Sequence, residues 1–226
     1  TQGIVQKEDI TENGIKYIKQ DGSVGYYQTV NKTTPVAGDV KYVDRNGDGV
    51  VDDNDRDIIG NPNPDFTYGF QTKVSWKSLS LSASFNGVQG RDILNVGNRY
   101  NNTPGTKSNN VTRKAFQNMW TDENPSNLYP KSTFVVQNMV MDRYVEDGSY
   151  LRCSDITLSY VLPAKWTNKI GIKNVYASVK NAFVITDYSG YDPEVNSFAF
   201  DGLRPGVDMN SYPTPRSFVF GLNLTF

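Results

Sequence analysis

The run Asp44-Arg45-Asn46-Gly47-Asp48-Gly49-Val50-Val51-Asp52-Asp53-Asn54-Asp55 gathers oxygen donors at alternate positions. Counted from Asp44, side-chain oxygens stand at the first, third and fifth places, a glycine at the sixth and a carboxylate at the twelfth. That is the spacing of an EF-hand loop, in which alternating donors in a tight turn converge on a hard cation that wants six or more oxygens. The expected calcium ligands are Asp44, Asn46, Asp48, the main-chain carbonyl of Val50, and Asp55. The last position holds Asp in place of the usual bidentate Glu, so its reach is shorter and water would complete the shell. The same residues would also make a solvated turn, or one closed by Asx hydrogen bonds with no metal. No second loop of this kind and no long flanking helix can be read, so the expected role is a structural clip and not a sensor.

Other chemistry is thin. The chain has no histidine and a single cysteine, Cys153, which removes a His-containing triad, a His-ligated zinc and a Cys-Cys zinc site together. Asp192 and Glu194 are the nearest thing to paired acid–base carboxylates, but Pro193 between them points to a turn. No residue is expected to be catalytic, and the chain is not expected to be an enzyme. A net charge of -1 gives no basic surface for nucleic acid. No apolar run approaches the ~20 residues of a spanning helix, and TQGIVQKEDI does not have the make-up of a signal peptide. Mean hydropathy is -0.54; a membrane β-barrel tolerates such a value, because lumen and loops dilute the lipid-facing half of each strand.

Strands must position whatever these residues do. From Phe218 to Phe226 every second residue is large and apolar, the period of a strand with one greasy face. Upstream, Phe66, Tyr68, Phe70, Val74 and Trp76 share one parity, and Leu79, Leu81, Ala83 and Phe85 share the other. A tight turn at Lys77-Ser78 then pairs Trp76 with Leu79, Val74 with Leu81 and Phe70 with Phe85 on one face. The opposite face is polar along its length and includes Lys73. A third strand is expected over Tyr150 to Leu162, with Ile156, Leu158 and Tyr160 on its apolar side. The fourth runs from Val175 to Thr186, carrying Val175, Ala177, Val179, Phe183 and Ile185. Pro163 to Trp166 opens a connector with room for a helical turn, Trp166 being placed like an interfacial anchor.

The connections divide by length. Those at 77–78 and 163–173 are short, while 88–145 and 187–213 are long; short periplasmic turns and long external loops are the rule in outer-membrane barrels. Residues 88–145 are polar and Asn-rich, with a short helix expected near Thr112 to Trp120 and turn signals at Pro104-Gly105 and Pro125. Residues 1–37 carry turn pairs at Asn13-Gly14 and Asp21-Gly22 and predict short surface hairpins, with Tyr17, Tyr26 and Tyr27 as ordinary strand or loop aromatics.

Several strings together resemble one family. These are Gly38-Asp39-Val40-Lys41-Tyr42 leading into the acidic loop, Ile59-Gly60-Asn61-Pro62-Asn63-Pro64, Val145-Glu146-Asp147-Gly148-Ser149-Tyr150-Leu151-Arg152, Tyr188-Ser189-Gly190-Tyr191-Asp192-Pro193-Glu194, and Tyr212-Pro213-Thr214-Pro215-Arg216 running to Phe226. They resemble the SusC/RagA-like TonB-dependent outer-membrane transporters of Bacteroidetes over residues 38–226; before that only Gly3-Ile4-Val5-Gln6 does so. The resemblance implies an all-β fold, the C-terminal strands (about five) of a large antiparallel transmembrane β-barrel of about 22 strands with long external loops. Residues 1–63 would be an external loop region containing the acidic loop, and 64–226 the barrel strands and their external loops.

It also implies import of glycan or peptide fragments across the bacterial outer membrane, with several partners. These are the remainder of the same barrel and its plug, a SusD-like surface lipoprotein, the TonB complex reached through an N-terminal part absent here, and outer-membrane lipid. Five strands leave two open edges that cannot sit in lipid, so the rest of the barrel is expected to be required. The competing expectation is a soluble, calcium-stabilised, carbohydrate-binding β-sandwich, whose apolar faces would close on each other.

Overall fold

The computed structural model describes residues 1–103, 110–132 and 140–224. The turn expected at Pro104-Gly105 and the terminal Thr225 and Phe226 lie outside the described residues. The chain divides into two compact units, one made of Thr1–Gly60 with Asn95–Val145 and one of Asn61–Leu94 with Glu146–Phe226.

The first unit joins residues 1–60 to residues 95–145, a stretch expected as an external loop. Its core is built on an antiparallel hairpin, Gly14–Ile18 with Val24–Tyr27, in which Ile15 faces Tyr27 and Tyr17 faces Gly25. The turn between them passes through Gly22 at φ 82°, a conformation that costs glycine little. Hairpins were expected here, but not burial. Tyr17 and Tyr27 are fully buried, their rings 5.9 Å apart, and Ile4, Val5 and Val40 are fully buried in the same unit. Alternation in Gly-Ile-Lys-Tyr-Ile is too short to announce a core, yet Tyr17 and Tyr27 project from the inner face of the pair. Gly25 leaves the room for this, since a Cβ there would lie 2.3 Å from the Tyr17 ring.

Residues 95–145 carry the helix expected near Thr112 to Trp120, and more. They hold helices Val96–Asn101 and Arg113–Asn118, the second capped by Thr112, whose Oγ1 accepts from the Ala115 amide at 3.2 Å. Asn127 Oδ1 accepts from the Ile4 amide at 3.0 Å, and Trp120 Nε1 donates to Gln6 Oε1 at 3.0 Å. Ala115, Met141 and Tyr144 are buried. These anchors are scattered among polar residues with no period, which is why the stretch reads as loop.

The second unit is a five-stranded antiparallel sheet: β1 Phe66–Trp76, β2 Leu79–Gln89, β3 Tyr150–Val161, β4 Ile172–Thr186 and β5 Ser217–Leu224, in spatial order β5-β4-β3-β2-β1. Strands β1 and β2 pair as their parity requires, with Trp76 opposite Leu79, Val74 opposite Leu81 and Phe70 opposite Phe85. Lys77 takes φ 54° in the two-residue turn, within the left-handed region such hairpins demand. β3 and β4 are joined by the helix Ala164–Ile170, closed by Gly171 at φ 69°.

One feature of β3 had no warning in the sequence. The register slips between Cys153 and Asp155, so the apolar phase passes from Leu158 and Ile156 to Cys153. Cys153 then lies opposite Phe85, whose ring stacks on Phe70 at 4.5 Å between centroids. Such bulges twist a strand and re-aim its side chains.

The two faces differ as alternation predicts, and neither behaves like a sandwich interior. On the apolar face Trp76 is 69% exposed and Phe220 is 80% exposed, with Val74, Phe70, Leu222 and Leu224 also open. A soluble β-sandwich would bury this stripe at roughly 25 cal/mol per Å². The β-sandwich expectation therefore fails on packing: among the described residues the apolar face is left uncovered.

Candidate functional site

The polar face carries the sheet's electrostatics. Asp155 at the bulge accepts from Thr157 Oγ1 at 2.7 Å and Ser178 Oγ at 2.8 Å, and pairs with Lys180 Nζ at 2.7 Å. Nearer the turn, Ser75 and Ser80 hydroxyls meet at 2.9 Å across the hairpin. Every such contact satisfies a polar group inside a strand, as a wet or partly wet surface requires.

Higher on β3, Arg152 is buried at 5% exposure and needs anions. The loop from Asp187 to Pro213 supplies two. Arg152 Nη2 donates to Asp192 Oδ1 at 2.5 Å, and Nε lies 3.1 Å from Glu194 Oε2. Tyr150 hydroxyl donates to Glu194 Oε1 at 2.6 Å, and Asn86 Nδ2 donates to the same oxygen at 3.1 Å. Asp192 also accepts the amides of Glu194 and Thr214, each at 3.0 Å, and the Arg91 guanidinium donates to the Pro193 carbonyl. Burial works to raise the Asp192 pKa; the two amides, Thr214 and the Arg152 charge outweigh it and hold the carboxyl below its ordinary value.

A second tether lies in the same loop. Tyr188 hydroxyl donates to Asp208 Oδ2 at 2.7 Å, and burial followed by that carboxylate pushes the phenol's pKa up. The Asp192-Pro193-Glu194 turn is thus a latch that fixes the loop to the polar face. Both acids are engaged by Arg152, so the geometry gives them an anchoring task. The sequence placed the turn but not its partner. The available signal was Arg152 itself, a charge inside a strand with two acids in a single downstream loop.

The acidic loop belongs to the first unit. Asp44 is buried, its carboxylate accepting from the Gly47 amide at 2.6 Å and the Gly49 amide at 2.8 Å. Asp48 accepts from Val50 N at 2.8 Å, and Asn46 Oδ1 from Asp48 N at 2.9 Å. Asp55 folds back, its Oδ1 accepting from Arg45 N at 2.7 Å and its Oδ2 from Asp52 N at 2.8 Å. The structure therefore draws the expected ligands into one loop, with their carboxylates turned onto the loop's own amides in the Asx-turn manner. Val50 opens the two-residue strand Val50–Val51, which pairs in parallel with Thr29–Val30. Among the described residues no group of three or more His, Cys, Asp or Glu side chains is placed to hold a metal ion. The donor set is nevertheless oxygen throughout, which suits a hard cation. Tyr17 hydroxyl, donating to the Asp44 carbonyl at 2.6 Å, ties the loop to the unit's core.

No family model matches the chain. Individual proteins do. It is 35% identical over 201 residues to the TonB-dependent receptor P26 of Formosa agariphila, covering 84% of this chain and 20% of the relative. It is 35% identical over 193 residues to the TonB-dependent receptor SusC of Bacteroides thetaiotaomicron, covering 82% of this chain and 17% of the relative. Among solved structures it superposes on the RagAB peptide importer in the open-open state with a TM-score of 0.66 at 25% identity, over 99% of this chain and 21% of that one. The RagAB peptide transporter gives a TM-score of 0.62 at 29% identity, over 75% and 18%.

The chain belongs to the SusC/RagA-like TonB-dependent receptors. It spans about a fifth of the length of the curated relatives it matches. The open sheet is accordingly a sector of the β-barrel of a SusC/RagA-like receptor, with β1 and β5 as its edges among the described residues. The Arg152 latch then fixes a loop against the barrel wall on its polar side. These relatives are named as receptors and transporters.

Proposed function

We propose that this chain supplies a sector of an outer-membrane barrel that imports glycan or peptide fragments, acting with a SusD-like surface lipoprotein and driven by TonB. The observation that carries the reading is the division of the sheet into an open apolar face and a polar face on which Arg152 and Asp155 are held in ion pairs. The first is the surface a barrel presents to lipid, and the second the surface it presents to a watery lumen. Support for the substrate class comes from the relatives, one of them SusC and another set the RagAB peptide importer. Transport of this kind makes and breaks no bond, so the barrel needs only shape, polarity and a loop that stays in place.

The test is growth of a strain deleted for the intact transporter, on peptides or on glycans as sole source. Loss of growth on one class, restored by the full gene, supports the reading; undiminished uptake of both would refute it.

For the acidic loop we propose a structural calcium ion held by Asp44, Asn46, Asp48, the Val50 carbonyl and Asp55. What supports it is the all-oxygen donor set at EF-hand spacing and the anchoring of Asp44 through Tyr17. When bound, the ion would offset two of the three carboxylate charges and stiffen the loop.

A further inference from the structure

On the apolar face, Val175 and Ala177 of β4 are small, and the residues paired with them on either side are large. Tyr160 and Leu158 of β3 stand on one flank, Leu222 and Phe220 of β5 on the other. Between the flanks lies a trough of about 530 Å³, whose margin reaches Leu79. Its floor is made by residues two apart on one strand, so it runs along that strand. In a barrel wall a strand crosses the bilayer at a tilt of about 35–45° to its normal. An acyl chain seated in the trough follows that tilt.

One end of the trough is chemically distinct. There the sheet's two short connections meet: Val161 N donates to the Ser78 carbonyl at 2.8 Å and Leu162 N to the Lys173 carbonyl at 3.0 Å. Trp76, paired with Leu79, carries the Lys77 ammonium 4.8 Å from its ring centroid. Lys173 is exposed at the foot of β4. An indole beside a cation is the chemistry of the membrane–water boundary, and ammonium groups at that depth select anionic headgroups. Short turns face the periplasm in such barrels, which puts this end in the inner leaflet of the outer membrane.

We propose that the trough between β3 and β5 is a lipid site, holding one acyl chain of an anionic glycerophospholipid of the periplasmic leaflet with its phosphate at Lys77. The proposal rests on the barrel reading above and adds a specific occupant to a face that would otherwise meet lipid indifferently.

The experiment uses the intact transporter, purified in mild detergent from its own membranes, with bound lipid counted by native mass spectrometry. Folded barrel is first verified by heat-modifiable migration; failure at that step refutes the barrel reading itself. A folded wild type is expected to retain an anionic glycerophospholipid through detergent exchange. Ala177→Phe, which fills the floor, is expected to lower that retention about tenfold, and Lys77→Glu to abolish the preference for anionic over zwitterionic lipid. A folded barrel that retains none, retains only lipopolysaccharide, or retains as much in Ala177→Phe overturns the proposal and leaves the barrel reading intact.

Should Ala177→Phe fail to insert, quenching decides. Fluorescence of wild type minus that of Trp76→Phe, in vesicles containing brominated lipid, is expected to fall at a lower mole fraction of brominated phosphatidylglycerol than of brominated phosphatidylcholine. Equal quenching by the two overturns the proposal.

Discussion

Replacing Arg152 by Met in the intact transporter should release the loop from Asp187 to Pro213. Arg152 and Asp192 are both almost wholly buried, and Glu194 is one-third exposed at its side chain. Removing one partner of a buried ion pair costs about 3–5 kcal/mol, because the other charge stays desolvated. Here Asp192 keeps two backbone amides as donors, and Glu194 keeps Tyr150 and Asn86. The lower end of that range, about 3 kcal/mol, is therefore the expected cost. At 1.4 kcal/mol per decade this is roughly a hundredfold shift in the docked-to-released equilibrium. Hydrogen exchange reads it directly: the amides of Glu194 and Thr214, which donate to Asp192, should lose protection by about two orders of magnitude. Amides in the middle of β3 and β4 should not change. The double variant Arg152→Met, Asp192→Leu should recover part of the loss, since no buried charge is left behind. Unchanged protection at Glu194 and Thr214 in Arg152→Met would refute the latch.

The pH dependence of the same loop follows from Asp192. Its carboxyl is held below the ordinary value in the docked state, so its contribution is fully present above about pH 4 and fades as pH falls through the lowered value. Proteolysis of the loop should be flat from neutrality down to about pH 4 and rise in stronger acid. Phe220→Arg places a charge on the open apolar face and should cost up to about 2–4 kcal/mol at mid-bilayer depth, seen as a loss of heat-modifiable barrel, whereas Ser82→Arg on the polar face should leave the folded fraction nearly intact. Gly87→Ala should destabilise by about 1–3 kcal/mol, because its Cβ would lie 2.7 Å from the Tyr150 carbonyl and 2.3 Å from the Tyr68 ring; urea midpoints of the intact barrel check this. Calorimetry of the intact transporter with calcium should show one saturable site, weakened in Tyr17→Phe by the loss of the bond to the Asp44 carbonyl; no heat, together with a melting temperature indifferent to chelator, would remove the ion.

What could be read beforehand was set by period and parity. β1 alternates from Phe66 to Trp76 with a single break at Thr72, β2 alternates from Leu79 to Phe85, and a two-residue turn admits a single register, so the Phe70–Phe85 stack follows from the order of residues. β3 alternates only as far as Ile156. Beyond it the bulge reverses the phase, and nothing about Cys153-Ser154-Asp155 announces an inserted residue. The latch was hidden for another reason. Its residues lie 40 positions apart, and an ion pair leaves no periodic trace. The core around Tyr17 and Tyr27 escaped because its strands are four or five residues long, too short for alternation to mark a buried face.

These gaps share a physical origin with the protein's task. Alternation is enforced where a strand must show one face to hydrocarbon along its length, so the lipid-facing surface writes itself into the sequence. The opposite face carries no such demand: it may be Ser, Thr, Asn or Lys, provided each polar group finds water or a partner. Asp155 finds Thr157, Ser178 and Lys180, and Arg152 finds Asp192 and Glu194. The partners of Arg152 come from a distant loop. The polar face is consequently where the chain is free to vary and where a loop can be fastened, while the apolar face is where its membership of a barrel is declared. A five-stranded sheet with both edges open and one face of exposed Phe, Trp and Leu has no stable existence by itself in water or in lipid. Among the described residues β1 and β5 pair on one side only, and a closed barrel is the arrangement that gives such edges their second partner.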